Sequence, residues 1–444
     1  MIPIPAVARA RYQFNDYNQL CERVGNAVDR GNKINLAELM RRRVFLPAGN
    51  TLLAGHAPIR PNCSIMPALT DANYDECAAR AETLWAAVIG IGWRFDGLSK
   101  PAAALRDLST RHARIQLGFR SQRGNMGVIS IEHPALREFI AAKDASVYNF
   151  NISVAITNNF MHRLAAGCAE ARNLLRQCAR SAHVGGDPGV VFIDRVQSDT
   201  PTPFGRIETL VPCGEQGMFA DETCNLGSIN LAACDFDTPS SFEDVVQRGV
   251  CALDNVVDLL DIPDERMLAR TRALRRIGLG IMGFAALLEA KGIAYDSAQA
   301  MALVRDIGTR FRRAALHATQ TLARTRGGLQ FDNTRRNITT TCIAPTGGIA
   351  LLTGHRSFGI EPLFGQATTL TPGAHLDIQA TWQRCVENSV SKTVNMPEEC
   401  TVRHIEDVFI GAWRRGCKSV TVYRNNSRNG QPIECGIAKS DDGK

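Results

Sequence analysis

From about residue 125 onward, most of the chain alternates between short apolar segments and longer segments whose apolar residues have helical spacing. Short runs of apolar and β-branched residues predict strands at 126–131, 152–157, 190–193, 339–344 and 419–423. The longer stretches between them carry apolar residues at helical spacing. Many strands that alternate with helices indicate an α/β architecture, either a barrel or a wide sheet.

Two of the predicted helices have clear starting signals. Ser240 and Glu243 have the spacing of a capping box, and the apolar residues that follow share one helix face: Val246, Val250, Leu253, Val257 and Leu260. A longer helix is predicted to begin near Asp296 and to bury one stripe of residues: Met301, Val304, Ile307, Phe311 and Ala315.

Gly278, Gly280 and Gly283 match the G-x-G-x-x-G pattern of dinucleotide-binding folds. The pattern has that meaning only where it follows a strand and opens a helix. Residues 265–276, which precede it, form a charged helical pattern. We therefore interpret these glycines as close packing between helices and not as a dinucleotide site.

Composition narrows the class of protein. The 444 residues are 45% hydrophobic and 21% charged, and neither a long apolar run nor a basic leader segment appears, which predicts a cytoplasmic protein without membrane contact. The 14 cysteines are then expected to be mostly reduced, and the absence of a C-x-x-C pair gives no indication of a metal site. The net charge of +7 suits a polyphosphate substrate, and no nucleic-acid-binding module is recognisable.

The segment around Cys213 carries the strongest chemical signal. Glu215 follows Cys213 by two positions, and Cys224 follows it by eleven. Radical chemistry on a sugar needs such a set, because one sulfur abstracts hydrogen, a carboxylate takes a hydroxyl proton and another sulfur supplies reducing equivalents. Alternatively, Cys213 is an inert core thiol and Glu215 a surface carboxylate. Cys63, between Asn62 and Ser64, has no local signal of its own.

A second candidate site lies at residues 341–352, which read as a strand, a glycine turn and an apolar helix start. The turn contains Thr346, Gly347, Gly348 and Ile349. Backbone N–H groups at a helix start bind anions, so phosphate binding is one interpretation. An ordinary strand-to-helix turn is the other.

Residues 211–231 resemble the N-P-C-G-E-Q … C-N-L-G-S-I-N-L block of ribonucleotide reductase catalytic subunits, especially the adenosylcobalamin-dependent class II enzymes. Further blocks similar to the family follow in the expected order, at 45–47 with 51–55, 123–127, 149–154, 186–194, 277–284, 344–349, 359–362, 391–395 and 420–424. The resemblance covers nearly the whole chain from residue 45 onward.

The resemblance implies a fold and a class. The expected fold is a ten-stranded α/β barrel with a central finger loop over 45–424, preceded by a short helical segment at 1–44 and followed by a flexible tail at 425–444. Class I subunits carry adjacent tyrosines near the C-terminus, whereas this chain has only Tyr423 there. Class III enzymes usually have a cysteine zinc site there, which Cys417 and Cys435 do not form.

The resemblance also implies residue roles. Cys213 would be the thiyl-radical residue, Glu215 the base for the 3′-hydroxyl proton, and Cys63 with Cys224 the pair that reduces the substrate and becomes a disulfide. The substrate-binding positions would be Asn62, Val211, Thr346, Gly347, Gly348 and Ile349, with the last four holding the phosphates.

The implied activity is reduction of ribonucleotides to 2′-deoxyribonucleotides for DNA synthesis, with adenosylcobalamin as the radical source. Family tendency favours ribonucleoside diphosphates over triphosphates. Thioredoxin or a similar dithiol is the expected reductant, and the chain is expected to be a monomer or a homodimer.

The chain departs from the family's pattern at three places. Val211 stands where the family usually has Asn, the stretch between Gly92 and Gly124 is short where effector binding and dimerisation usually occur, and Cys435 has no close cysteine neighbour in the tail. Two alternatives therefore stay open: a class I-type catalytic subunit that needs a separate radical-generating protein, and a non-catalytic nucleotide-binding homologue.

Overall fold

The computed structural model describes residues 4–31, 34–115, 124–143, 147–200, 205–354, 357–367 and 369–427. The helices in these ranges are α1 Ala6–Tyr12, α2 Tyr17–Asp29, α3 Leu36–Arg41, α4 Tyr74–Ala86, α5 Pro101–Ala113, α6 Leu136–Ala141, α7 Asn158–Ala165, α8 Ala169–Gly185, α9 Ile193–Ser198, α10 Ser241–Leu259, α11 Glu265–Leu274, α12 Phe284–Ala290, α13 Ala298–Arg326, α14 Gly347–Thr353, α15 Pro372–Gln383 and α16 Val402–Arg414. Short 3-10 turns occupy Gly49–Leu53 and Leu231–Ala233.

The strands in the described ranges are β1 Phe45–Pro47, β2 Cys63–Ile65, β3 Gly90–Arg94, β4 Asn125–Ser130, β5 Phe150–Ile156, β6 Gly189–Phe192, β7 Thr209–Leu210, β8 Gly217–Met218, β9 Thr223–Cys224, β10 Leu226–Asn230, β11 Gly278–Met282, β12 Thr393–Met396 and β13 Ser419–Arg424. The sequence-predicted strands at 126–131, 152–157, 190–193 and 419–423 correspond to β4, β5, β6 and β13, and are confirmed.

Five parallel strands, β2 to β6, lie side by side in chain order. Strand β13 adds to β6 in the antiparallel direction, and β12 lies parallel to β13. At the other edge β9 is antiparallel to β2. The strands β9, β12 and β13 therefore run antiparallel to the five strands β2 to β6.

A second set of five strand segments closes the ring. These segments are β9 with its continuation β10, then β11, residues 341–343, β12 and β13. Only Asn225 separates β9 from β10, and β10 is parallel to β11. Two parallel bridges, Leu279 to Thr341 and Ile343 to Val390, then connect β11 through residues 341–343 to the segment that enters β12. Within the described residues these contacts join two sets of five segments into the expected ten-stranded α/β barrel.

The long helices on the outside of the barrel bury the faces that the sequence predicted. On α10 the side chains of Val246, Val250, Leu253 and Val257 are buried, and on α13 those of Val304, Ile307, Phe311 and Ala315 are buried. Met301 of the same predicted stripe is only partly buried, because it lies in the first turn of α13. Removing these apolar stripes from water supplies the main driving force for docking the helices.

Two local interpretations of the sequence were wrong. Ser240 precedes α10 in the left-handed region at φ 63° and makes no side-chain cap, so the capping box is not formed. The glycines at 278 and 280 lie in β11 and not between helices. A Cβ on Gly280 would lie 2.7 Å from the carbonyl oxygen of Cys342, so this glycine allows close approach of two barrel segments.

The segment at 339–344, predicted as a strand, does not form a regular ladder. Its backbone instead pairs alternately with both neighbours: Leu279 N donates to Thr340 O at 2.8 Å, and Ile343 N donates to Ser389 O at 3.1 Å. It makes three backbone hydrogen bonds to each of its two neighbours and therefore takes the place of a barrel strand.

Inside the barrel, β7 and β8 pair as an antiparallel hairpin, with Leu210 opposite Gly217. We call residues 209–218 the finger loop. Its side chains and backbone contact strands from both halves of the barrel, because Gly92 on β3 packs against Leu210 and Ser419 on β13 lies near Gly214. The loop therefore occupies the interior of the ring.

Two sequence features extend beyond the described residues. The short stretch before Gly124 includes 116–123, and the tail includes 428–444 with Cys435; both lie outside the description. Across the described part of the chain, no helix has the length and apolar character that crossing a membrane requires.

We expect Gly92→Ala to lower the stability of the fold by about 1–3 kcal/mol, because added atoms overpack a filled interior. The new Cβ would lie 2.4 Å from Ile65 Cδ1 and 2.5 Å from Leu210 O, where β3 meets the finger loop. Urea unfolding of both proteins measures the change. Gly185→Ala, at the end of α8 with no atom within 4 Å of the new Cβ, is the matched control and should leave stability equal or higher.

Candidate active site

The finger loop turns tightly at Cys213. Val211 N donates to Gln216 O at 2.9 Å, and Gly214 N donates to Val211 O at 2.8 Å. Gly214 has φ 78°, a conformation that glycine adopts without steric cost. These bonds place Cys213 at the tip, where it is exposed while Val211 and Glu215 on either side are buried.

Hydrogen bonds to three separate segments of the barrel hold the tip in place. Ser389 N donates to Glu215 O at 2.9 Å, and Gln216 Nε2 donates to Ile277 O at 3.1 Å. On the opposite side Asn151 Nδ2 donates to Pro212 O at 3.4 Å. The position of Cys213 is therefore fixed from both halves of the barrel.

A buried ion pair anchors the chain just after the finger loop. Arg276 binds Glu222 with both ends of its guanidinium, Nε to Oε1 at 2.9 Å and Nη2 to Oε2 at 3.0 Å. Glu222 also accepts a hydrogen bond from Phe219 N at 2.7 Å. Each side chain of the pair is only 1% exposed, so its charge depends on the other for compensation.

Cys63 and Cys224 face each other across two antiparallel strands. They are direct partners in the register of β2 and β9. Such partners have Cα atoms roughly 4.5–5.5 Å apart, within the range of roughly 4.4–6.8 Å that a disulfide requires. Both side chains are buried thiols in this structure. The backbone therefore lets them form a disulfide without rearrangement.

The paired thiols belong to a small apolar cluster beside the finger loop. Its buried members are Cys63, Ile65, Val211, Met218, Cys224, Leu226, Cys342 and Ala344. Val211 is completely buried there. The cluster thus contains three cysteines and connects the finger loop to β2, β9 and the segment at 341–344.

Glu215 is a buried carboxyl group next to this cluster. Burial raises the pKa of Glu215 to about 7. Its Oε2 atom has no hydrogen-bond partner among the described residues. Burial, together with the charge of Glu215, raises the pKa of the neighbouring Cys342 thiol. Glu215 is therefore a group that gains or loses a proton near neutral pH, as a general base must.

A cavity of about 440 Å³ opens beside the finger loop, between β4–β6 and β12–β13. Cys213 and Pro212 form part of its wall, with apolar side chains such as Val191 and Met396. Among the described residues, neither Cys63 nor Cys224 belongs to that wall. Cys213 therefore faces the cavity, while the paired thiols lie in the separate cluster that contains Val211.

The glycine turn lies at the start of α14. Thr346 precedes the helix at φ 61°, and its Oγ1 accepts a hydrogen bond from Gly359 N at 2.8 Å. A Cβ on Gly347 would meet no atom within 4 Å, so the backbone there is accessible. A Cβ on Gly348 would lie 2.6 Å from Tyr12 Oη of α1. Ile349 is buried.

Comparison with known proteins identifies the family. The ribonucleotide reductase barrel domain matches residues 165–335 and 360–423. A vitamin B12-dependent ribonucleoside-diphosphate reductase of Mycobacterium tuberculosis is 32% identical, over 91% of this chain and 73% of that protein. The chain belongs to the ribonucleotide reductase family. A second B12-dependent reductase, from Thermoplasma acidophilum, is 29% identical over 77% of this chain and 56% of the relative.

A solved ribonucleotide reductase structure has the same fold. The class Id ribonucleotide reductase alpha subunit of Actinobacillus ureae superimposes with a TM-score of 0.81 over 95% of this chain and 97% of that one, at 16% sequence identity. The likeness supports the ring of ten strand segments derived from the strand pairing.

The structure brings most of the sequence-predicted residues of this ribonucleotide reductase together. Cys63, Cys224 and Val211 share one cluster. Asn62 lies directly before β2, where its Oδ1 accepts from Asn50 N at 3.4 Å. Thr346 follows Ala344 of the same cluster by two residues, which puts the glycine turn beside it.

Other residues of the site were not recognised from the sequence. Cys342 belongs to the cluster, and Glu361, Lys392 and Tyr423 line the cavity. Each lies within or beside a block that resembles the ribonucleotide reductase family, so the signal was present. What the sequence did not reveal was which side chain of each block faces the finger loop.

We expect mild oxidation of the purified protein to join Cys63 to Cys224, because the two are direct cross-strand partners. Peptide mapping by mass spectrometry under non-reducing conditions would detect the cross-link. Cys342→Ala should leave this disulfide unchanged, whereas Cys63→Ser should abolish it. A dominant link from Cys342 to either thiol would contradict the pairing.

Glu215 should make stability depend on pH. In the unfolded chain its carboxyl ionises near 4.5, but in the folded chain it stays protonated up to about 7. The folded state therefore loses stability as pH rises from 4.5 to 7, by about 3 kcal/mol at most, and no further above that. Glu215→Gln should become more stable than the native chain over this range.

Urea unfolding at several pH values measures the difference between the two proteins. A constant difference for Glu215→Gln would show that this carboxyl ionises normally in the folded protein.

Proposed function

We propose that this chain reduces ribonucleoside diphosphates to 2′-deoxyribonucleoside diphosphates by thiyl-radical chemistry, with adenosylcobalamin as its cofactor. The relatives from Mycobacterium tuberculosis and Thermoplasma acidophilum are named as B12-dependent ribonucleoside-diphosphate reductases. The observation that carries the proposal is the arrangement of three thiols around one loop: Cys213 at the tip of the finger loop, and Cys63 opposite Cys224 in the adjoining cluster.

The cavity beside Cys213 suits the nucleoside part of the cofactor. Its volume of about 440 Å³ lies in the usual range for small-molecule sites. Its wall is mainly apolar with a few polar groups, among them Asn151, Thr421 and Tyr423. The chemistry that adenosylcobalamin supplies when bound is an organic radical, generated by homolysis of its cobalt–carbon bond.

Cys213 carries the radical to the substrate as a thiyl. Its sulfur abstracts the 3′-hydrogen of the ribose and returns a hydrogen atom at the end of the cycle. The hydrogen bonds that fix the finger loop serve this reaction, because a displacement of a reacting atom by about 1 Å costs roughly 10²-fold in rate.

Glu215 takes the proton of the 3′-hydroxyl in this mechanism. Its pKa of about 7 matches a base that works near neutral pH. The 2′-hydroxyl then leaves as water. The low polarity around Glu215 also excludes bulk water, which protects the radical from side reactions.

Cys63 and Cys224 supply the two electrons and two protons of the reduction and become a disulfide. The net reaction converts ribonucleotide and dithiol to deoxyribonucleotide, disulfide and water. A second dithiol must then reduce the disulfide for another turnover, and thioredoxin or a similar protein is the proposed reductant. The substrate phosphates bind at Thr346 to Ile349, where Gly347 offers accessible backbone.

The test is anaerobic turnover of CDP by the purified chain with adenosylcobalamin and dithiothreitol. We expect dCDP from the native chain and none from Cys213→Ser, because an alkoxyl radical is not accessible in place of the thiyl. Cys168→Ser is the matched control and should stay active, since Cys168 caps α8, where serine is a favoured residue.

The other outcomes separate the alternatives. If the chain binds nucleotide but forms product only when a separate radical-generating protein is added, the result would favour a class I-type subunit. Bound nucleotide without product under any radical source would favour a non-catalytic homologue. Product from Cys213→Ser at the native rate would exclude Cys213 as the radical residue.

A further inference from the structure

Tyr423 lines the cavity beside the finger loop and has a buried hydroxyl group. It lies on β13, where Ser419, Thr421 and Tyr423 alternate along the strand and all contribute to the cavity wall. The Oη atom is shielded from solvent and has no hydrogen-bond partner among the described residues. A buried hydroxyl without a partner costs roughly 1–3 kcal/mol, which a ligand that hydrogen-bonds to it would recover.

The two charged groups Lys392 and Glu361 in the wall are already paired. The ammonium group of Lys392 donates to Glu361, to His375 Nδ1 and to the carbonyl of Thr393, which occupies its three donors. Glu361 accepts a second hydrogen bond from Thr393 N at 2.7 Å. This lysine and this carboxylate therefore serve the architecture of the wall, whereas the Tyr423 hydroxyl is left for a molecule in the cavity.

The chemistry of the cavity indicates which molecule that is. A phenol both donates and accepts hydrogen bonds, so it can pair with a ribose hydroxyl or an adenine ring nitrogen. Cys213 lies in the same wall, so under the proposed function the radical source binds in this cavity. The nucleoside of adenosylcobalamin has both the polar groups and the size to fit there.

We propose that Tyr423 is a positioning residue whose hydroxyl binds the adenosyl group of adenosylcobalamin and holds it beside Cys213. This inference rests on the proposed function, because it takes adenosylcobalamin as the cofactor. It gives Tyr423 a role in binding and not in electron transfer.

The test compares two corrinoids, adenosylcobalamin and methylcobalamin, in equilibrium titrations followed by absorbance. Tyr423→Phe should weaken adenosylcobalamin binding about threefold to tenfold, the usual value of one hydrogen bond, and should leave methylcobalamin binding unchanged. Free 5′-deoxyadenosine should show the same loss as adenosylcobalamin. Tyr148→Phe, at a side chain that is 67% exposed, is the matched control and should change none of these affinities.

Thermal unfolding separates positioning from a structural role. Because the hydroxyl makes no hydrogen bond within the described protein, Tyr423→Phe should not lower the Tm of the ligand-free chain. The increase in Tm that adenosylcobalamin causes should become smaller.

Three results would overturn the inference. They are an equal loss of affinity for both corrinoids, an unchanged affinity for adenosylcobalamin, or abolished turnover with normal binding, which would indicate a redox role. Failure of the native chain to bind adenosylcobalamin would instead overturn the proposed function and the inference with it, so the two failures are distinguishable.

Discussion

The closed ring of strands imposes the constraint on which the site depends, because whatever lies inside it must satisfy its own backbone polar groups. The finger loop does so partly within itself, through Val211 N to Gln216 O, and partly through the barrel, through Ser389 N to Glu215 O. A flexible loop could not remain inside such an enclosure. The interior thus fixes Cys213 more firmly than the loop's short ladder alone would.

The residues after the finger loop show how charged side chains are accommodated inside the barrel. Glu222 and Arg276 bring two opposite charges into the interior, which is favourable only because each hydrogen bond is made. Arg276 also donates to Thr339 Oγ1 at 3.2 Å, and so connects Glu222, after the finger loop, to the segment at 339–344. This polar anchoring adds to the backbone hydrogen bonds that the segment at 339–344 makes to both of its neighbours.

The sequence correctly predicted helices and strands whose pattern lies in neighbouring residues. The apolar stripe of α10 and the β-branched run of β13 follow directly from side-chain periodicity, and both were confirmed. The capping box at Ser240 failed because the backbone enters the helix from the left-handed region. The meeting of Cys63 and Cys224, 161 positions apart (224 − 63), depends on strand register, which residue spacing does not encode. Their pairing came from family resemblance alone.

Val211 and Glu215 are best understood together. The family usually has Asn at the position of Val211, and an amide there can donate a hydrogen bond that favours the ionised carboxylate and lowers its pKa. In this chain an isopropyl group is completely buried at that position, and Glu215 Oε2 has no partner among the described residues. Burial is then the dominant influence on Glu215, and its pKa rises to about 7. A base with this pKa is partly ionised at neutral pH, where it can accept a proton from a hydroxyl group.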